Sequence, residues 1–190
     1  MFKKLLVPLD GSDQSERIGI WAYGMARGLG ATVSLLAVVD PDDLDLPRDA
    51  VDSWRQGTGP AEGPRQGPLD QPVDPETTRE PAPRHSDSEG YGRPSAVQII
   101  ESSVERARRY LTEEAERIQR QGGAAEINVV VGDPEVEIVR QAEDSGADLI
   151  AMATRRESAL VRGIVGSVTD RVARNTRLPM LVAHAEAVQR

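Results

Sequence analysis

Asp10 closes an apolar run, Leu5-Leu6-Val7-Pro8-Leu9, and is followed at once by Gly11 and Ser12. A carboxylate at such a strand end can accept hydrogen bonds from a vicinal diol, as on a sugar ring. Far along the chain, Gly166-Ser167 opens a helical pattern. A helix start offers free N–H groups and a positive dipole end, which suits a phosphate. There Gly166 lets the backbone approach closely, and the Ser167 hydroxyl adds a donor. Arg155, Arg156 and Arg162 lie in the loop before that start and make it electropositive. Each signal also has a plain structural reading. Asp10 can be a turn residue or the cap of the next helix. Ser167 and Asp170 can cap each other, and the arginines can be solvated or paired with acidic residues elsewhere.

Several chemistries are excluded by what is missing. There is no cysteine, hence no disulfide, thiolate metal site or cysteine nucleophile. The two histidines, His85 and His184, have no partner spacing that suggests a base or a metal site. No G-x-x-x-x-G-K-[ST] loop occurs, and no G-x-G-x-x-G follows the first strand. Gly24, Gly28 and Gly30 sit within or after the first helix at the wrong spacing. The segment Asp10-Gly11-Ser12-Asp13 also lacks the paired glycines of nucleotide-cleaving α/β loops. An aspartyl-phosphate receiver would need an acidic pair at strand one and a late lysine; no lysine follows Lys4. The net charge of −8 argues against a nucleic-acid partner. No apolar run reaches the ~20 residues of a membrane span, and the N-terminal run is too short for a signal peptide. A soluble, cytoplasmic protein is expected.

The elements that must position these residues alternate. Lys4 to Leu9 is a strand. Asp13-x-x-Glu16 resembles a capping box for a helix whose stripe is Ile18, Trp21, Ala22, Met25 and Leu29, with Gly30 as its stop. Trp21 and Met152 are expected in the core. Thr32 to Val39 is a second strand. Val97, Ile100, Val104, Ala107, Leu111 and Ile118 recur at helical spacing up to Gly122-Gly123. Ala125 to Val131 is a third strand. Asp133-Pro134-Glu135 starts a helix with an Asp cap and a first-position proline, and Ile138, Val139 and Ala142 face inward as far as Gly146. Asp148 to Met152 is a fourth strand. The helix from Gly166-Ser167 carries Val168, Val172 and Ala173, and Met180 to Ala183 is a fifth strand. Strands apolar on both faces, alternating with helices, specify an α/β fold with a parallel sheet between helix layers. Ligands of such sheets bind beyond the carboxyl ends of the strands, where the winding reverses.

Residues 41–95 interrupt this pattern. They hold ten of the thirteen prolines, and twelve acidic residues against six arginines. The stretch has no period of 2 or 3.6, so it cannot bury enough apolar surface to offset its chain entropy. A long, disordered, acidic insertion after strand two is expected, with a short amphipathic turn around Leu44 to Trp54 left open, inside a single domain spanning 1–190. The insertion would serve as a flap or as a docking segment for a protein partner.

The segments VPLDGSDQS, LLAVVDP, VVVGDPEVEIVRQAEDSGADLIAMAT, LVRGIVGSVTDRV and LPMLVAH, in that order, resemble the universal stress protein family. The resemblance implies an open five-stranded parallel sheet of order 3-2-1-4-5, Rossmann-like and akin to the adenine nucleotide alpha hydrolases. It also implies a homodimer paired through the last strand (Met180, Leu181, Val182 and Ala183), and in many members an ATP site without robust catalysis. Nucleotide-binding members carry Gly, two residues, Gly, nine residues, then Gly and Ser or Thr. On this chain those positions are Ala153, Arg156, Gly166 and Ser167, so only the last pair matches. The adenine and ribose contacts carried over are Pro8, Leu9, Asp10 and Val38, with Met152 beside them. The phosphate contacts are Ala153, Arg156, Gly166, Ser167 and Val168. Arg156 either fills the phosphate space or pairs with a phosphate through its guanidinium.

Three functions follow from these residues. The first is a module that holds ATP (with Mg²⁺) or AMP at the ends of strands one, two and four. The second is a nucleotide-free, dimeric interaction protein whose site Arg156 closes. The third, a slow hydrolase, lacks a convincing base.

Overall fold

The computed structural model describes residues 2–48, 51–52, 94–154 and 167–184. The expectations for Arg155, Arg156, Arg162, Gly166, His85 and most of the insertion lie outside the described residues. Five strands appear: β1 (Lys4–Pro8), β2 (Thr32–Val39), β3 (Ala124–Val131), β4 (Leu149–Thr154) and β5 (Met180–His184). Among the described residues the helices α1 (Asp13–Leu29), α2 (Ala96–Arg120), α3 (Pro134–Asp144) and α4 (Ser167–Asn175) alternate with them.

All neighbouring strands are parallel, and the order is β3-β2-β1-β4-β5. From β1 the chain winds outward through β2 to β3, then crosses back to β4 and β5. The reversal therefore falls between β1 and β4, the switch point at which such sheets bind ligands. The joint is fastened at its other end. One carboxylate oxygen of Asp148 accepts the N–H groups of Lys3 at 2.6 Å and Lys4 at 3.0 Å. Those two donors hold the Asp148 carboxyl below the usual carboxylate range.

Side chains alternate across the sheet because strand periodicity is two. Leu5, Val7, Leu9, Val33, Leu35, Leu149 and Ala151 pack under Ile18, Ala22 and Ala26 of α1 and Leu111, Ala115 and Ile118 of α2. On the other face Leu6, Leu36, Ile150 and Met152 pack against Ile138 and Ala142 of α3 and Val172 of α4. Arg171 of α4 pairs with Glu135 of α3 across that layer. Burial on both faces explains why the strands read as continuous apolar runs. Among the described residues no helix is long and apolar enough to cross a membrane.

Three expectations are corrected. Trp21 is not in the core: it is 55% exposed, beside Ile20 at 61%. It sits three residues after Ile18 and four before Met25, which put it on the expected stripe. The buried arc of α1 is instead rotated toward α2, where Ser15 and Tyr23 are covered. Gly19 completes that covered side, since a Cβ there would lie 2.8 Å from the Tyr23 hydroxyl oxygen. Second, the cap of α1 is Ser12, whose hydroxyl accepts the N–H of Ser15 at 3.3 Å, one residue before the expected Asp13. Third, the chain does not leave the fold at Pro41. Pro41–Asp43 forms a 3-10 turn with Pro41 buried. Leu44 and Leu46 then pack against the cluster of Val39, Ile100 and Val104. These few aliphatics are what keeps the start of the segment attached.

Candidate functional site

The β1–α1 turn carries Asp10 into the open end of the switch point. The ladder continues one residue past β1, with Leu9 N–H donating to the Leu36 carbonyl at 2.8 Å. Asp10 is exposed. Its Oδ1 accepts the Ser12 N–H at 3.0 Å and the Ser12 hydroxyl at 2.6 Å. The chain reverses between them at Gly11, whose φ of 74° is a left-handed conformation that favours glycine. Asp10 thus forms the turn and is at the same time an exposed carboxylate.

The other sequence candidates divide between the two faces. The β1–β4 register pairs Leu5 with Leu149 and Leu6 with Ile150; continued, it sets Met152 opposite Pro8. Met152 is buried, and Val38 and Val168 pack against the same cluster. Val38, Met152 and Val168 thus share one apolar wall on the α3/α4 side, and strand parity puts Pro8 on the same side. Leu9 and Ala153 belong to the opposite face, in the core under α1 and α2. Leu9 is 3% exposed, so only its backbone can meet a ligand. Ser167 is the first residue of α4, although its side chain is outside the described set.

A residue the sequence reading missed ties this end together. Thr169, 4% exposed, donates its hydroxyl to the Ala153 carbonyl at 3.3 Å. That bond anchors the first turn of α4 against the end of β4, so the start of the helix lies beside the strand end. Its only sequence signal is a polar residue inside an apolar helical stripe. Asp170 pairs with Arg174 at 2.9 Å.

A separate cavity of about 270 Å³ lies one strand outward, at the ends of β2 and β3. Asp40, Asp133 and Glu137 line it with Pro41, Val131, Gly132 and Val136. Burial pushes the Asp40 carboxyl above its ordinary range, with Asp42, Asp43 and Asp133 adding repulsion against the favourable Asp42 N–H. Glu137 is paired with Arg140 at 2.7 Å. Three carboxylates repel a phosphate, so this cavity is not the anion end of the site. Among the described residues no cluster of three or more acidic or histidine side chains is arranged to hold a metal ion.

Behind the Asp10 turn, α1 and α2 enclose a polar cluster. Glu114 is 4% exposed and pairs with Arg117 at 3.0 Å; burial raises its pKa despite that arginine. The hydroxyls of Tyr23 and Tyr110 are buried without a partner in hydrogen-bonding geometry. Burial, with Glu114 next, raises Tyr23 strongly. Tyr110 is pushed up to about 12 by burial, Glu16 and Glu114.

The assembled end therefore offers an apolar wall for a flat ring, a carboxylate for a diol and a helix start for an anion. The family model described as the universal stress protein family matches residues 1–184. The universal stress protein YxiE of Bacillus subtilis is 28% identical over 182 residues, covering 96% of this chain and 99% of its own. The solved structure of the MJ0577 protein superposes with a TM-score of 0.63 at 22% identity, covering 97% of this chain and 96% of that one. A universal stress protein solved in complex with cAMP gives a TM-score of 0.52 at 18% identity, covering 97% of this chain and 98% of that one. With a family match over nearly the whole length and the strand order 3-2-1-4-5 that the resemblance implied, the chain belongs to the universal stress protein family.

Proposed function

We propose that this protein is a nucleotide-responsive binding module that holds an adenine nucleotide, ATP or AMP, at the carboxyl ends of β1, β2 and β4. The support for this reading is that Asp10 follows β1 at the switch point, the end of the sheet where Val38, Met152 and Val168 share an apolar wall. The wall would stack the adenine, and Asp10 would accept from the ribose diol. The start of α4, with Ser167 and the arginine-rich loop before it, would receive the phosphates. The cAMP complex of a related fold supports an adenine nucleotide as the ligand class. Mg²⁺ would accompany ATP through its phosphates. The bound form would be a homodimer through β5, an edge strand with Val182 37% exposed; a monomer in sedimentation at micromolar concentration would remove that part.

A titration of labelled protein with AMP, followed by NMR, tests the placement. Backbone resonances of Leu9, Asp10, Val38 and Ala153 are expected to move most. If the largest shifts cluster instead at Asp40, Gly132 and Asp133, the ligand sits in the acidic cavity and the reading fails.

A further inference from the structure

Among the described residues the exposed large apolar side chains Phe2, Val136 and Val182 stand apart in sequence, whereas Ile20 and Trp21 are adjacent on α1. Ile18, Ala22 and Ala26 turn that helix toward the sheet. At about 100° per residue, Ile20, Gly24 and Gly28 fall on the opposite side, with Trp21 on its flank. Both glycines are exposed. A Cβ at either would meet nothing within 4 Å, and neither has a positive φ. Glycine is the poorest helix former after proline, so no described neighbour accounts for two of them one turn apart within α1. What they provide is a bare strip of backbone beside two large apolar side chains. Such a strip admits close approach of another backbone. An exposed aliphatic–aromatic pair at its edge is a feature of interfaces.

We propose that this face of α1 is a contact between two copies of the chain, packed antiparallel about a two-fold axis that passes between Ile20 and Trp21. The charges of the helix select that occupant. Asp13 and Glu16 lie in its first turn and Arg27 in its last. A second α1 running the opposite way brings Arg27 to Asp13 at both ends and opposes the two helix dipoles. A parallel pair would set acid against acid and arginine against arginine. The sizes are self-complementary too. In the antiparallel register Ile20 faces the partner's Trp21, Arg17 lies over the partner's Gly24, and Asp13 lies over the partner's Gly28. Each longer side chain meets a gap, and the symmetry makes every such contact twice. The contact needs no ligand, so it is independent of the nucleotide reading. It also leaves β5 free. The β5 edge lies in the plane of the sheet, whereas this face of α1 points away from it. A chain that also paired through β5 would form a tetramer.

Sedimentation of the full-length protein up to ~0.1 mM is expected to show a concentration-dependent doubling of mass. Trp21→Ala should weaken that association roughly thirtyfold or more, as for an aromatic residue at the centre of an interface. Trp21 is exposed in the single chain, so the fold is kept. Gly24→Leu gives a sharper readout, because its two effects have opposite signs. The new side chain improves the helix, and its Cβ meets nothing in its own chain. The urea midpoint of the dilute protein should therefore rise while association falls. The absence of cysteine allows the register to be checked. Under mild oxidation an equimolar mixture of Arg17→Cys and Gly24→Cys should cross-link as mixed pairs, because only facing positions come within disulfide reach. A mass that stays constant over the concentration range would overturn the proposal. So would association that Trp21→Ala leaves unchanged, whether it runs through β5 alone or through another face. Cross-links formed equally well by either variant alone would overturn the antiparallel register.

Discussion

Leu36→Ala is expected to lower the stability of the fold by about 3 to 5 kcal/mol. Leu36 is fully buried in β2, between β1 and β3 in the sheet. Its side chain meets Leu6, Ile138, Ala142 and Ile150 on the α3/α4 face. The residues around it belong to two strands held in register in the sheet and to a helix packed on it, so they cannot close over the void. Truncation then costs both the lost transfer energy and the cavity, which places this variant at the upper end of core substitutions. Its backbone carbonyl still receives Leu9 N–H, so the ladder and the site entrance persist. Urea denaturation should show a lower midpoint with an unchanged slope. A loss below about 1 kcal/mol would mean that the α3/α4 layer packs loosely on the sheet.

The second large effect concerns binding. Asp10→Ala is expected to weaken AMP roughly ten- to a hundredfold, the range for a hydrogen bond to a charged acceptor. The same change removes the acceptor for the Ser12 N–H and hydroxyl, which costs about 1 kcal/mol of stability, as for a lost helix cap. Calorimetry and urea melts on one preparation separate the two. Asp10→Asn discriminates further, because its amide oxygen can still close the turn while the charge is gone. If Asp10→Ala binds AMP as the unaltered protein does, Asp10 is a turn former alone.

Much of the fold was legible because strands and helix ends are local. β2 spans Thr32–Val39 as read from its apolar run, and the left-handed Gly30 and the Asp133-Pro134 start fall where their residue types place them. What escaped depended on neighbours. Trp21 fits the period of α1, but the position of α2 decides which arc of that helix is covered. Leu44 and Leu46 look too sparse to fold until Ile100 and Val104 of α2 are beside them. The Ser95 and Gln98 capping box that starts α2 was overlooked at the edge of the insertion, although its S-x-x-Q spacing is a recognised signal. At the site, the strand ends were legible as positions, but the facing of each side chain was not. Strand parity sends Leu9 and Ala153 into one layer and Met152 and Val38 into the other.

The most direct test of the central claim is calorimetric titration with ATP, with and without Mg²⁺, of the protein as it stands and of Arg156→Gly. Binding by the unaltered protein in the micromolar range, about 8 kcal/mol of affinity, is the expected result; Arg156 then serves as a phosphate contact where the family pattern has glycine. No heat from the unaltered protein beside clear binding by Arg156→Gly would contradict the account. In that case the arginine closes the site, and the function belongs to the proposed dimer surface and the insertion.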